Sequence, residues 1–159
     1  LDGYFIDKKI HEKSFHRVLG SYSMYYAKDP NRIFNTVHRI LKPGGIFFFC
    51  GPSMENNYEI RRFHYSLNGE DVPPDNGAGA FMEKTGQKLA SSLFGKVEIS
   101  TFQNPMQFDS AEALYSYWSS YNLYDSRLDA SFKAAAAEYF KNNRVFETVK
   151  RVIGVKAIK

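Results

Sequence analysis

Residues 29–52 constrain the fold more than any other stretch of this sequence. Asp29 is a residue type that caps helix N-termini, and Pro30 suits the first helical position, where its missing N–H removes no bond. Ile33, Phe34, Val37, Ile40 and Leu41 then recur at i, i+1, i+4, i+7 and i+8, one apolar stripe along a helix. Arg32, Asn35, His38 and Arg39 take the remaining face. Lys42-Pro43-Gly44-Gly45 stops the helix. Directly after it, Ile46-Phe47-Phe48-Phe49-Cys50 is apolar without a break, the pattern of a strand buried on both faces of a parallel sheet. Upstream, residues 15–22 read as a further strand centred on Val18 and Leu19. Strand, helix and strand with short joins make a βαβ unit with a right-handed crossover, so the fold class is α/β.

The rest of the chain punctuates itself less sharply. Residues 55–67 read as a helix, and 68–79 as a loop from their Asn, Gly, Asp and Pro content. A helix is expected over 80–94, with Phe81, Leu89 and Leu93 buried, and Gly95 ends it. Val97 to Phe102 alternates as a strand does. Ser110 opens a helix over 111–121, and Asp129 or Ser131 opens another that ends near Asn142. Residues 144–158, rich in Val and Ile, form the last strand. No internal repeat or second-domain boundary is visible, so residues 1–159 are read as one domain.

Composition excludes several classes. With 43% apolar and 24% charged residues, the chain has the balance of a soluble globular domain. No apolar run approaches the roughly 18–20 residues that span a bilayer, and no secretory leader pattern opens the chain. The single cysteine, Cys50, rules out an internal disulfide framework and fits a cytoplasmic setting, where it is expected to be an inert core thiol. Net charge is +4, with eight basic and three acidic residues from Arg127 onward, yet these are scattered as on a solvated surface rather than gathered into a nucleic-acid footprint. His11, His16, His38 and His64 show no metal-ligand spacing, so no metal is expected.

Taken in order, these segments resemble the C-terminal part of the class I S-adenosylmethionine-dependent methyltransferases. Ser14 to Tyr26 followed by Asp29-Pro30 is similar to that family's fourth strand and its following turn, where His16 stands in place of the usual acid. Val37-His38-Arg39-Ile40-Leu41-Lys42-Pro43-Gly44-Gly45 resembles the helix end before the fifth strand, and Val152 to Lys159 the closing strand. The resemblance implies a Rossmann-like sheet holding strands 4 to 7 of the family order 3-2-1-4-5-7-6, with a helical cap insert at about 110–142 before the last strand. It also implies that the N-terminal strands are absent from these 159 residues, because no glycine-rich loop follows a strand. Gly77-Ala78-Gly79 lies in the Pro-rich loop and is not that motif.

From the resemblance follow the expected activity, cofactor and site. The activity is transfer of a methyl group from S-adenosyl-L-methionine to a small-molecule acceptor, the small-molecule methyltransferases being the nearest type. The chain is not expected to be active alone. Asp2 and Gly3 would lie toward the adenine, and Gly20, Ser21 and Tyr22, at the end of strand 4, beside the sulfonium. Met24, Tyr25, Gly51 and Pro52, with Tyr117, Trp118 and Tyr121 of the helical insert, would border the acceptor. No catalytic base is assigned: methyl transfer is an in-line displacement on an activated sulfonium, driven by alignment and desolvation, and the spacing selects neither His64 nor Tyr25. The alternative reading is a non-catalytic half-domain that pairs with a partner chain, or with itself, through the exposed edge of the first strand. A nucleic-acid methyltransferase would rest on the basic tail alone.

Overall fold

The structure is a computed structural model that describes residues 10–75 and 77–159. In chain order come β1 (Phe15–Ser21), a 3-10 turn (Met24–Tyr26), α1 (Pro30–Ile40), β2 (Leu41–Pro52) and α2 (Tyr58–Ser66). There follow α3 (Ala78–Ala80), a π-helical turn (Phe81–Thr85), α4 (Gly86–Leu93), β3 (Lys96–Phe108) and α5 (Ala111–Ser119). A second 3-10 turn (Ser126–Leu128), α6 (Asp129–Asn142) and β4 (Phe146–Ile158) complete it. The chain divides into two compact units. The first takes the described residues up to Asn56 with Asp75–Phe102 and Arg151–Lys159; the second takes Asn57–Pro74 and Gln103–Lys150. The second unit thus exceeds the expected insert at 110–142.

In the first unit the strand order is β1-β2-β4-β3. β1 runs parallel to β2, with Val18 beside Phe47 and Gly20 beside Phe49. β4 runs antiparallel to β2, from Ile158 beside Ile46 to Val152 beside Pro52. That is the order expected of strands 4-5-7-6. α1 starts as the sequence predicts: the Arg32 N–H donates to Asp29 Oδ1 at 3.0 Å, with Pro30 at the first position. Its buried face, Phe34, Val37 and Ile40, covers the sheet, and Phe34 meets Phe47 and Phe49 edge-on at centroid distances of 5.4 and 5.3 Å. Burying a side chain of this size contributes about 1.5–3 kcal/mol.

Two expectations change here. Phe47 and Phe49 are fully buried, but Ile46, Phe48 and Cys50 on the opposite face are only half-buried, so β2 is covered fully on one face alone. The Lys-Pro-Gly-Gly segment, read as a helix stop, is also the opening of β2, where Gly44 takes φ +71° and a Cβ on Gly45 would stand 2.8 Å from the Lys42 carbonyl. The last carbonyls of α1 find partners far along the chain. Lys13 and Ser14 N–H groups donate to Arg39 and Ile40, and the Lys159 ammonium donates to the carbonyls of His38 and Leu41.

The helical stretch over α3, the π turn and α4 buries Met82, Gly86 and Ala90, whereas Phe81, Leu89 and Leu93 only flank the core. The physical reason is close approach. A Cβ on Gly86 would lie 3.1 Å from Phe49 Cε2, so small residues face the sheet and the larger ones splay to either side.

The second unit is built on aromatic side chains. Trp118 stacks on Phe132 with centroids 4.1 Å apart and planes 10° from parallel, and Phe63 meets Phe132 and Phe146 edge-on. α5 is capped by Ser110, whose Oγ accepts from the Ala113 N–H, as expected. α6 begins at Asp129, one of the two starts expected, with Leu128 in the cap position. As the first helical residue, Asp129 accepts from the Tyr115 hydroxyl and from Lys133.

Candidate functional site

The carboxyl ends of β1 and β2 lie side by side because the strands are parallel and in register, Ser21 beside Cys50. In open α/β sheets this is where ligands bind. The Tyr22 N–H adds one more bond, to the Cys50 carbonyl at 2.9 Å, and Tyr22 itself takes φ +49°. A left-handed tyrosine is an uncommon, costly conformation, and here it turns the chain off the sheet into the 3-10 turn. That turn folds Met24 back onto Gly20: a Cβ there would meet Met24 Sδ at 2.9 Å. Gly51 plays the same part on β2, where a Cβ would meet Met82 Cγ and Tyr25 Cε1, each at 2.9 Å. Two bare backbone positions thus admit two thioethers and a phenol ring.

The sequence-predicted residues Gly20, Ser21, Tyr22, Met24, Tyr25, Gly51 and Pro52 therefore gather at one end of one sheet. Tyr22 is 46% exposed, Tyr25 half-buried and Met24 buried. Tyr25 and Tyr26 rings lie 4.6 Å apart. The Cys50 thiol reaches the Ser21 hydroxyl at 3.6 Å, so Cys50 is half-buried beside the strand ends rather than sealed in the core. Burial, helped by neighbouring Tyr26 and Tyr22, raises the Tyr25 phenol to about 12. Its hydroxyl stays protonated at neutral pH and can orient a ligand but not accept its proton.

The aromatic residues of the second unit separate into different roles. Trp118 is fully buried, its face on Phe132 and its indole N–H donated to His64 Nδ1 at 3.2 Å. It is core, which corrects the expectation that it borders an acceptor. His64 is buried too, and desolvation lowers its pKa; its Nδ1 lone pair already accepts the Trp118 proton, so it is no general base. Tyr117 and Tyr121 are half-buried and stack at 5.9 Å, and the Tyr117 hydroxyl accepts from Asn57 Nδ2 at 2.9 Å. Asp2 and Gly3 lie outside the described residues.

Three residues escaped the sequence reading. Met82 overhangs Gly51, but nothing in a helical periodicity marks one methionine for that place. Ser53 in the first unit and Asn57 in the second are buried, and among the described residues Ser53 Oγ and Asn57 Oδ1 have no hydrogen-bond partner. Their one signal is position, just after the strand that carries Gly51 and Pro52. Among the described residues no group of three His, Cys, Asp or Glu could hold a metal ion, and no helix is long and apolar enough to cross a membrane.

Comparison with known proteins bears on the fold that carries these residues. Residues 3–49 match the model of a family described as a methyltransferase domain. A protein from Bacillus halodurans put forward as a methyltransferase is 15% identical, with a TM-score of 0.52 over 100% of this chain and 69% of that one. The YcgJ protein from Bacillus subtilis is 14% identical, with a TM-score of 0.51 over 95% of this chain and 66% of that one. A SAM-dependent methyltransferase from Archaeoglobus fulgidus is 15% identical, with a TM-score of 0.50, covering 100% and 66%. The chain thus spans about two thirds of the length of these structures, and at such identities the likeness is one of fold. No curated protein sequence matches it. The family it resembles is that of the class I S-adenosylmethionine-dependent methyltransferases, whose cofactor is S-adenosyl-L-methionine.

Proposed function

We propose that this chain carries the acceptor side of a cytoplasmic methyltransferase that moves a methyl group from S-adenosyl-L-methionine to a small molecule. The observation that carries the reading is the cluster at the ends of β1 and β2, where Tyr22, Tyr25 and Tyr26 gather beside Gly20 and Gly51 on a methyltransferase fold. Aromatic faces and thioethers suit a sulfonium cation, which the ring quadrupole attracts. When bound, the cofactor supplies a methyl group already activated on positively charged sulfur. Gly20, Ser21 and Tyr22 would present backbone to that group, while Met24, Tyr25, Gly51 and Pro52 would border the acceptor and exclude water. Tyr117 and Tyr121 of the second unit are assigned to the acceptor by resemblance alone; Trp118, buried in that unit's core, is not. Asp2 and Gly3 remain assigned to the adenine by resemblance alone. Tyr25, neutral at pH 7, would orient the acceptor through its hydroxyl rather than deprotonate it.

In this reading the 159 residues bind cofactor weakly, because they contain no glycine-rich loop after a strand. Titration with S-adenosylhomocysteine, followed by amide NMR, tests both parts. Shifts at Gly20 to Tyr22 and at Gly51, saturating only at high ligand concentration, are expected. Micromolar affinity would overturn the weak-binding part, and shifts confined to other residues would overturn the site.

A second reading is favoured by the edge of β1. Its Phe15 is 40% and Leu19 75% exposed, and among the described strands it pairs with β2 alone. Such an edge can pair with another chain or a second copy, as a non-catalytic half-domain would. Light scattering during size-exclusion chromatography decides: a stable monomer at high concentration excludes self-pairing.

A further inference from the structure

One cleft has no part in the proposed methyl transfer. It lies wholly within the second unit, has a volume of about 720 Å³, and falls between α2 on one side and Tyr139 with residues 145–147 on the other. That size is within the roughly 300–1,000 Å³ range of small-molecule sites. Its apolar wall is Phe63, Tyr139 and Phe146, which meet one another edge-on at 5.4–6.4 Å. The triad is rigid, since the Tyr139 hydroxyl is fixed on the Val145 carbonyl at 3.2 Å.

Charge decides what such a cleft accepts. Glu59 is already committed, because its Oε2 accepts from the Thr148 hydroxyl at 2.9 Å and the Val149 N–H at 3.1 Å. Arg62 differs. Among the described residues its guanidinium has no hydrogen bond or ion pair, although it borders the same cleft as two carboxylates. Glu147 accepts from Gln107 on Oε1 at 2.7 Å, and among the described residues its second oxygen has no partner. An anion entering the cleft meets Glu147, and a cation meets Arg62. A ligand bearing both charges on an apolar body satisfies Arg62, Glu147 and the aromatic wall together.

We propose that this cleft binds a zwitterionic small molecule with an aromatic or bulky apolar body, the chemistry of an amino acid. Arg62 takes the carboxylate, Glu147 takes the ammonium, and Phe63, Tyr139 and Phe146 take the side chain. The proposal does not depend on methyl transfer, and its failure leaves that reading untouched.

The test uses the full chain and three probes of one shape: L-phenylalanine, 3-phenylpropanoate and phenethylamine. Binding is read by NMR shifts of α2 and residues 145–147. L-phenylalanine should bind at least about fivefold more tightly than either probe with one charge, with a dissociation constant on the order of millimolar. Arg62→Gln should abolish its advantage over phenethylamine, and Glu147→Gln its advantage over 3-phenylpropanoate. Both sites are exposed, so the thermal midpoint of each variant should match the parent and show that the fold is intact. No saturable binding of L-phenylalanine, equal binding of all three probes, or an undiminished preference in Arg62→Gln would each overturn the proposal.

Discussion

The two units have cores of different chemistry. That of the first is hydrocarbon: Phe34, Leu41, Phe47, Phe49, Val155 and Ala157 meet through dispersion and shape. That of the second is aromatic and threaded with hydrogen bonds, Trp118 to His64, Asn57 to Tyr117, and Thr148 to Glu59. A hydrocarbon core tolerates a swap of similar volume, whereas a core with polar handles leaves an unsatisfied partner behind. Specificity is thus set by shape in one unit and by donor–acceptor matching in the other.

The largest expected effect tests this contrast directly. Trp118→Ala should cost roughly 3–5 kcal/mol in urea denaturation followed by circular dichroism. Trp118→Phe retains a ring against Phe132 but strands His64 Nδ1, and should still cost about 1–3 kcal/mol. Phe47→Leu, which strands nothing, should stay below about 1.5 kcal/mol. If the two conservative swaps cost the same, the distinction between the cores fails.

Glu59→Ala comes next, at about 1–3 kcal/mol, because it unpairs the Thr148 hydroxyl and the Val149 N–H. Faster hydrogen exchange at Val149, with the amides of β1 unchanged, would place the loss in the second unit. A smaller effect belongs to the first unit: Asp29→Ala removes the cap on Arg32 N–H and should cost about 1 kcal/mol. Asp29→Asn should retain most of that stability, and a variant as weak as Asp29→Ala would mean that the cap contributes little.

How much of this was legible in the sequence varies with the same chemistry. Asp29-Pro30 and the stripe from Ile33 to Leu41 specify α1, since capping and periodicity are local properties. The Phe run announces β2 and its place beside β1, which positions Gly20, Tyr22 and Gly51. Gly86 and Ala90 were missed as core because hydrophobic ranking overlooks small residues that permit close approach. Trp118 is hard to place from sequence for a different reason. An amphipathic ring looks alike whether its N–H faces a ligand or a partner such as His64, 54 residues away. Ser53 and Asn57 carry no local signal, because burial without a partner is a tertiary property.

The smallest effect is one of pH. Desolvation lowers the His64 pKa from 6.5, partly offset by Asp125 and Glu70. Below about pH 6.5 the unfolded chain binds a proton that the folded chain resists, so stability falls as pH drops toward the folded value. His38 in the first unit, lowered by burial and by Lys159, acts in the same direction. His64→Gln should therefore flatten the acid slope without abolishing it. An unchanged slope would remove His64 from the account.

Lys159 closes a circuit that begins at α1, and this bears on the order in which a growing chain can fold. The first unit is interrupted twice, so Arg151–Lys159 leave the ribosome only after the whole second unit has been made. Until then the Phe47–Phe49 strand has β1 on one side and, among the described strands, nothing on the other, and the carbonyls of His38 in α1 and of Leu41 just after it await their ammonium. At about 5–20 residues per second, that leaves β2 half-paired for several seconds of synthesis. The second unit, whose main segment is contiguous from Gln103 to Lys150, can assemble first. Assistance from a chaperone, or aggregation without one, would then fall on the nascent first unit.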